Sequence, residues 1–168
     1  MTAPRSDPSL RPFSAFRFAL EVKVEGVADK VCGGSFSEID GLEMTMEPKT
    51  IREGGRNTGP VHLMGPVSYG QVTLKRGMTA NLDLWKWFAR VNEPGTRGQR
   101  SDAEIVVFAS DGATEQIRFV LRRVVPVKMR APALNGREGT IAIEEMQIAF
   151  EQMVVRDVHG TAVPRTGA

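Results

Sequence analysis

Carboxylate pairs are the residues of this sequence with the clearest potential for acid–base or metal chemistry. Glu144 is followed directly by Glu145, and Glu38 stands two residues before Asp40. The two adjacent glutamates fall in a predicted strand, where neighbouring side chains point to opposite faces. Neither pair is accompanied by a histidine or a second metal ligand. We therefore interpret these carboxylates as solvated or salt-bridged, and the sequence predicts no catalytic or metal-binding residue.

Cysteine and histidine are the next candidates for chemistry. The chain contains one cysteine, Cys32, and two histidines, His62 and His159. A single cysteine forms no intrachain disulfide, which indicates a reduced or redox-indifferent setting. No spacing typical of catalysis links Cys32 to either histidine, so we interpret the thiol as a small buried or half-buried side chain.

A glycine-rich stretch, Glu53–Arg56, resembles the loops that bind phosphate. It lacks the GxxxxGK[ST] spacing, and no helix is predicted to start after it. From Glu53 to Gly65 the chain has four glycines, a proline and no hydrophobic period. This pattern predicts a long exposed loop, held at both ends by strands and offered to a partner as an arm. No cofactor-binding residue is predicted.

Strands are the elements that must position these residues. Alternation of polar and apolar side chains predicts strands over 16–24, 31–39, 67–75, 105–109, 116–122 and 140–151, and further extended segments are predicted over 44–51 and 124–129. The apolar parity changes at Gly70 and again between Ile143 and Met146, and each change predicts a β-bulge. Pro48 and Pro126 predict an interrupted ladder or a sheet edge.

One helix is predicted, from about residue 80 to residue 91, with Thr79 or Asn81 as its N-cap. Apolar residues cover one face of this helix and extend around a second side. Large aromatic side chains on these faces are expected to pack against the sheet. The structural anchors predicted in this way are Trp85, Trp87 and Phe88.

Together the elements predict a mainly β fold, a β-barrel or sandwich of about seven or eight antiparallel strands with one packed α-helix. We expect a flexible leader at 1–12, one folded domain at 13–153 with the arm at about 48–66, and a tail at 154–168. Open strand edges would be a hazard for a monomer. Pairing these edges in a closed ring of copies would remove the hazard.

The charge distribution excludes several classes of protein. The chain has 22 basic and 20 acidic residues, and each terminal segment carries one net positive charge, so the core is neutral. A neutral core argues against a sequence-specific nucleic-acid binder. No apolar run is long enough to span a bilayer, and the N-terminus lacks the apolar region of a signal peptide. Synthesis in the cytoplasm without a signal peptide is expected.

Five ordered sequence blocks resemble a known family. They are FSEIDGL at 36–42, IREGGRN at 51–57, VTLKRG at 72–77, LWKW at 84–87 and AIEE at 142–145. In order and spacing the chain resembles the tail tube proteins of contractile phage tails and of phage-tail-like contractile injection systems. The resemblance covers about residues 13–153.

The resemblance implies a role that the residues alone do not show. Family members are similar in fold to the haemolysin-coregulated protein of type VI secretion, with six copies in a ring and rings stacked into a hollow tube. It implies a sheath outside the tube, a baseplate hub and tape-measure protein as further partners, cargo in the lumen, and no enzymatic activity or cofactor. The arm would reach an adjacent subunit and ring. Its expected inter-ring interface residues are Arg52, Glu53, Gly54, Gly55, Arg56 and Asn57.

Two alternatives stay open at this point. One is a specialised paralogue, the tube-initiator ring that joins the tube to the baseplate hub. The other, from a different class, is a small ligand-binding β-barrel, which would need an apolar pocket with a few convergent polar groups.

Overall fold

A computed structural model describes residues 17–24, 32–34, 36–52, 54, 59–134, 136, 139 and 141–157. Within these residues the chain forms twelve strands and one helix. The elements in chain order are β1 (Phe18–Val24), β2 (Cys32–Gly34), β3 (Glu38–Asp40), β4 (Met44–Met46), β5 (Lys49–Ile51), β6 (Val61–Leu63), β7 (Val67–Tyr69), β8 (Gln71–Gly77), α1 (Asp83–Asn92), β9 (Ser101–Phe108), β10 (Glu115–Arg130), β11 (Ile143–Ala149) and β12 (Gln152–Asp157).

Two antiparallel sheets share the long strand β10. Its first half lies between β9 and β12 in the order β2-β1-β9-β10-β12, and its second half begins the order β10-β11-β8-β3. The ladders shift register between Leu121 and Val124, where Arg123 has a positive φ of 55°. Strands that pass from one sheet to another do so at bends of this kind.

The core lies between the inner faces of these two sheets. Every second residue of a strand faces inward, and these inward positions carry aliphatic side chains. Packing the two inner faces together removes their apolar surface from water, and this holds the two sheets against each other. The most deeply buried strand residues include Leu20, Val22, Ala103, Ile105 and Leu121 of the first sheet, and Val72, Leu74, Met146 and Ile148 of the second.

Helix α1 packs one face into this core through Leu84, Trp87 and Val91. The side chain of Trp87 is 1% exposed, while Trp85 and Phe88 are half-buried. The three aromatic residues therefore lie on the faces that the sequence predicted. The helix begins three residues later than predicted.

The expected N-cap is wrong, because Leu82 occupies that position and makes no side-chain capping bond. The Asn81 side chain instead accepts a hydrogen bond from the backbone N–H of Asp83, at 3.2 Å.

The predicted fold class, mainly antiparallel β with one packed helix, is confirmed. The strand predicted over 31–39 is divided, since β2 pairs with β1 in the first sheet and β3 with β8 in the second. The strand predicted over 140–151 corresponds to β11 alone, and β12 lies beyond it, in a segment for which no strand was predicted and four residues of which follow the expected boundary at Met153. The strand predicted over 67–75 with a β-bulge at Gly70 is also divided, because Gly70 separates β7 from β8 and these two strands pair in different sheets.

The β-bulge predicted between Ile143 and Met146 is wrong. The β11–β8 ladder is continuous from Ile143 to Ala149, so the inward positions of β11 begin with Glu144. Ile141 and Ile143, whose parity differs from that of Met146 and Ile148, are exposed. A buried glutamate requires a partner of opposite charge, and that partner is described below.

Trp87→Ala is expected to lower the free energy of unfolding of the subunit by about 3–5 kcal/mol, because it removes a large, fully buried ring and leaves a cavity. Chemical denaturation of the unassembled subunit measures this loss. The matched control is Lys86→Ala, one residue earlier on the exposed side of α1, with an expected change within about 0.5 kcal/mol. A small loss for Trp87→Ala would contradict the assigned packing face.

Candidate functional site

The predicted arm is a β-hairpin along most of its length. β4 pairs with β7, from Met44 opposite Tyr69 to Met46 opposite Val67. β5 pairs with β6, from Lys49 opposite Leu63 to Ile51 opposite Val61. The expectation that Glu53–Gly65 is an unpaired loop is therefore wrong for Val61–Leu63. The hairpin is longer than the arm predicted at about 48–66, and the name "arm" hereafter means residues 44–69.

The hydrogen-bonded ladder of the arm is interrupted between its inner half, β4 and β7, and its outer half, β5 and β6. Pro48 stands between β4 and β5, as the sequence predicted, and Pro66 precedes β7 on the opposite strand. Proline has no N–H to donate to a ladder. At Gly65 the backbone approaches so closely that a Cβ would lie 2.0 Å from the carbonyl oxygen of Glu47. Only glycine fits there without displacement of one strand.

The base of the arm is fixed to the second sheet. Gly41 has a φ of 90°, and a Cβ on it would lie 2.2 Å from the carbonyl oxygen of Gln71. The backbone N–H of Gly70 donates to the carbonyl oxygen of Glu43 at 3.3 Å. The Tyr69 ring contacts the Phe150 ring of the core, with centroids 5.3 Å apart. The arm therefore begins from a defined position at the start of β8.

Of the predicted interface residues, Arg52 and Gly54 are exposed in the structure. Glu53, Gly55, Arg56 and Asn57 lie outside the described residues. Across the nearby ladder, the Thr50 hydroxyl and the His62 Nδ1 atom lie 3.2 Å apart in hydrogen-bond contact. The inter-ring role of the six residues stays a prediction.

A buried ion network joins β8, β11 and α1. Arg76 Nε donates to Glu144 Oε1 at 2.6 Å, and Arg76 Nη2 donates to Asp83 Oδ1 at 2.5 Å. Trp85 Nε1 donates to the other oxygen of Glu144 at 2.8 Å. The side chains of Arg76 and Glu144 are 5% and 1% exposed. The guanidinium also lies 5.9 Å from the centre of the Phe36 ring, in cation–π contact.

Hydrogen bonds within this network keep the Arg76 side chain in its charged form. Burial by itself lowers the pKa of Arg76, but the hydrogen bonds to Asp83 and Glu144 outweigh burial and raise the pKa above its ordinary value. The guanidinium is therefore a permanent cation, and Glu144 accepts hydrogen bonds at both oxygens. The sequence did not predict this pairing. The feature of the sequence that could have indicated the pairing is the position of Glu144, which faces the core on the same side of β11 as Met146 and Ile148.

The sequence blocks that carried the family resemblance meet at this network. Phe36 comes from FSEIDGL, Arg76 from VTLKRG, Trp85 from LWKW and Glu144 from AIEE. Residues distant in sequence are thus held to one another by a single set of contacts. Of the arm block, IREGGRN, the described residues Ile51, Arg52 and Gly54 lie elsewhere, on the outer half of the arm.

The described residues contain no group of three or more His, Cys, Asp or Glu residues that could hold a metal ion. A groove of about 580 Å³ is lined by four basic side chains, two acidic ones and Ser101. Arg122 pairs with Asp102 there, and Lys23 with Glu104. None of the residues that line this groove is hydrophobic or aromatic, whereas such residues predominate in a typical small-ligand pocket. No helix in the described part of the chain is long and apolar enough to cross a membrane.

Solved structures share this fold. A chain of the anti-feeding prophage baseplate is 22% identical with a TM-score of 0.78, and the match covers 88% of this chain and 97% of that one. A chain of the PVC extracellular contractile injection system, in its extended sheath–tube complex, is 16% identical with a TM-score of 0.74, covering 90% and 99%. Hcp1 of E. coli EAEC 042 is 13% identical with a TM-score of 0.50, covering 88% and 96%. The fold is thus shared with these chains of contractile injection assemblies and with Hcp1.

The match of the sequence to a family model identifies the family more specifically than the shared fold does. The family model described as "T4-like virus tail tube protein gp19" matches residues 14–154. The chain belongs to this tail tube family, and the resemblance seen in its sequence blocks is confirmed. A search of curated proteins finds no match.

Gly65→Ala is expected to displace the outer half of the arm, because the added methyl group would overlap the Glu47 carbonyl group. The unfolding free energy of the core should change little. Hydrogen exchange at the β5–β6 ladder should become faster, which mass spectrometry of arm peptides measures. Gly54→Ala is the matched control, since a Cβ there meets nothing within 4 Å. Equal exchange in both variants would contradict the assigned role of Gly65.

Glu144→Ala is expected to lower the unfolding free energy by about 3–5 kcal/mol, because it leaves the buried Arg76 cation without one of its two carboxylate partners. Chemical denaturation of the unassembled subunit measures this change. Glu145→Ala, on the opposite face of the same strand, is the control and should cost under about 1 kcal/mol. Similar losses for the two variants would show that Glu144 does not hold the network together.

Proposed function

We propose that this protein is the structural subunit of the inner tube of a contractile injection system or phage tail. Six copies form a ring, and rings stack into a hollow tube that sheath contraction drives through a target envelope. The observation that carries the proposal is the match to the tail tube family over residues 14–154. The arm, projecting from a fixed base, supplies a means of contact between copies. The tube subunit itself performs no catalysis and needs no cofactor.

Free strand edges support the closure of the ring. In the described residues β2 pairs with β1, β3 with β8 and β12 with β10, so each of the three has one unpaired edge. Unpaired backbone groups at an edge can accept a strand from another chain. In the ring, these edges pair with those of neighbouring copies and join the sheets around the lumen.

The arm makes the contact between rings in this proposal. Arg52 is exposed on its outer half, and an exposed guanidinium can form paired, charge-assisted hydrogen bonds with a carboxylate of another copy. Glu53, Gly54, Gly55, Arg56 and Asn57 complete the interface, with the glycines allowing close approach of the backbone.

Partners and location follow from the same proposal. A sheath protein surrounds the tube, a baseplate hub and a tape-measure protein contact it, and cargo occupies the lumen. The subunit is synthesised in the cytoplasm and assembled into the particle. A second candidate is the tube-initiator ring, because one structural neighbour of 22% identity is a baseplate chain.

Negative-stain electron microscopy of the purified protein tests the proposal. Tubes of uniform width with a central channel are expected at high protein concentration. Single rings that do not stack would favour the initiator instead. Uniform monomers, both alone and with baseplate components added, would overturn both candidates.

Arg52→Glu combined with Arg56→Glu is expected to prevent stacking while the subunit remains folded, because the charge reversal places like charges at the ring-to-ring contact. Electron microscopy scores the tubes and circular dichroism checks the fold. The control combines Lys86→Glu with Arg97→Glu, which changes the charge equally at exposed sites on α1 and the following loop. Intact tubes in the arm variant would contradict the inter-ring role of these arginines.

A further inference from the structure

The groove on the first sheet carries more positive than negative charge. Its volume is about 580 Å³, and four basic side chains line it against two acidic ones, so two positive charges are in excess. The basic residues are Lys23, Arg100, Arg122 and Arg123, the acidic residues are Asp102 and Glu104, and the remaining residue is Ser101.

A β-bulge brings two of these arginines together. The β9–β10 ladder shifts register after Leu121, so that Arg122 and Arg123 both stand opposite Asp102. The Asp102 carboxylate accepts a hydrogen bond from the Arg122 side chain and, at 3.2 Å, one from the backbone N–H of Arg123. Arg123 has a φ of 55°, a value that residues other than glycine seldom adopt. Bulges and unfavourable backbone conformations of this kind are enriched at binding and catalytic sites.

The carboxylates around the groove are shared between cations. Glu151 pairs with Arg100 at 3.3 Å through one oxygen and with Arg123 at 2.6 Å through the other, while Asp102 is the partner of Arg122. Three guanidinium groups therefore share two carboxylates. The side chains of Arg100 and Arg123 are 39% and 63% exposed. Exposed ion pairs of this kind contribute little to stability, so the guanidinium groups can turn toward a further anion at little cost.

Ser101 supplies a buried hydroxyl group to the same groove. The residue is 3% exposed, and its Oγ atom has no hydrogen-bond partner in the described part of the chain. Its position is set on both sides, because it pairs with Val24 of β1 and with Val124 of β10. A buried hydroxyl group without a partner costs free energy. A ligand that accepts a hydrogen bond from it would remove this cost.

We propose that the groove binds a phosphate group, with the hydroxyl group of Ser101 and the guanidinium groups of Arg100, Arg122 and Arg123 as hydrogen-bond donors. The planar fork of a guanidinium group matches two oxygens of a phosphate. A phosphate monoester carries about two negative charges at neutral pH, which equals the charge excess of the lining.

The lining also limits what the phosphate can be attached to. It contains no aromatic side chain on which a nucleobase could stack. The ligand is therefore a free phosphate ion or the phosphate group of a small polar molecule. The site lies on β1, β9 and β10, away from the arm, and it does not depend on the proposed tube function.

Equilibrium dialysis of labelled inorganic phosphate against the full chain tests the proposal, with the ionic strength held constant by chloride. Saturable binding of one phosphate per chain is expected. Ser101→Ala should raise the dissociation constant about tenfold, because it removes one hydrogen bond to a charged group. The same variant should unfold no more easily than the wild type without phosphate, since the hydroxyl group has no partner there. Unchanged phosphate affinity in this variant would overturn the assigned site.

A charge variant separates the groove from general attraction of anions. Arg100→Gln combined with Arg123→Gln should raise the dissociation constant about tenfold or more, while circular dichroism shows a retained fold. The matched control, Lys86→Gln combined with Lys128→Gln, removes the same charge at exposed positions of α1 and of the second half of β10. Its dissociation constant should change by less than about twofold, because salt screens distant charges. Equal losses in the two variants would overturn the proposal.

Competition identifies the form of the ligand. Displacement of labelled phosphate by glycerol phosphate would assign the groove to the phosphate group of a small polar molecule, and resistance to it would assign the groove to the free ion. Acetate that competes as well as phosphate would overturn the choice of phosphate, as would a wild-type chain without saturable binding. Assembly is scored separately by electron microscopy, so a chain that binds phosphate and forms no tubes would overturn the tube function alone.

Discussion

The buried ion pair between Arg76 and Glu144 is the interaction on which the rest of the structure depends. Removing two charges from water is costly, and apolar residues of similar volume often stabilise a fold equally well. Hydrophobic contacts, however, have little directional preference. The hydrogen bonds of Arg76 to Glu144 and Asp83, and that of Trp85 to Glu144, form in one arrangement of β8, β11 and α1. The network therefore fixes the position of the helix on the second sheet.

That arrangement matters because β8 carries both the arm and the ion network. The arm begins at Gln71, and Arg76 lies near the other end of the strand, one residue before Gly77. β8 lies between β11 and β3, so its backbone is hydrogen-bonded on both sides. The base of the arm is therefore held by the same strand that the network fixes to β11 and α1.

Sequence patterns predicted those elements whose own residues determine them. The alternation of β1 and the apolar face of α1 are local signals. Glu144 was predicted to be solvated or salt-bridged, and it is salt-bridged. Its burial and its partner were not predicted, because hydrophobic periodicity treats glutamate as a surface residue and Arg76 is 68 positions away. The ladder of the arm was missed for a similar reason, since β6 is only three residues long and lacks a clear alternation. The outer residues Glu53, Gly55, Arg56 and Asn57 lie outside the described part of the chain.

The exposed apolar side chains are not left over from an incomplete core, because the aliphatic residues between the sheets are almost fully buried without them. On a monomer they would favour aggregation. Five of these exposed side chains lie on the arm: Met44, Ile51, Leu63, Met64 and Val67. Contact of the arm with another copy, as the proposed function requires, would remove them from water.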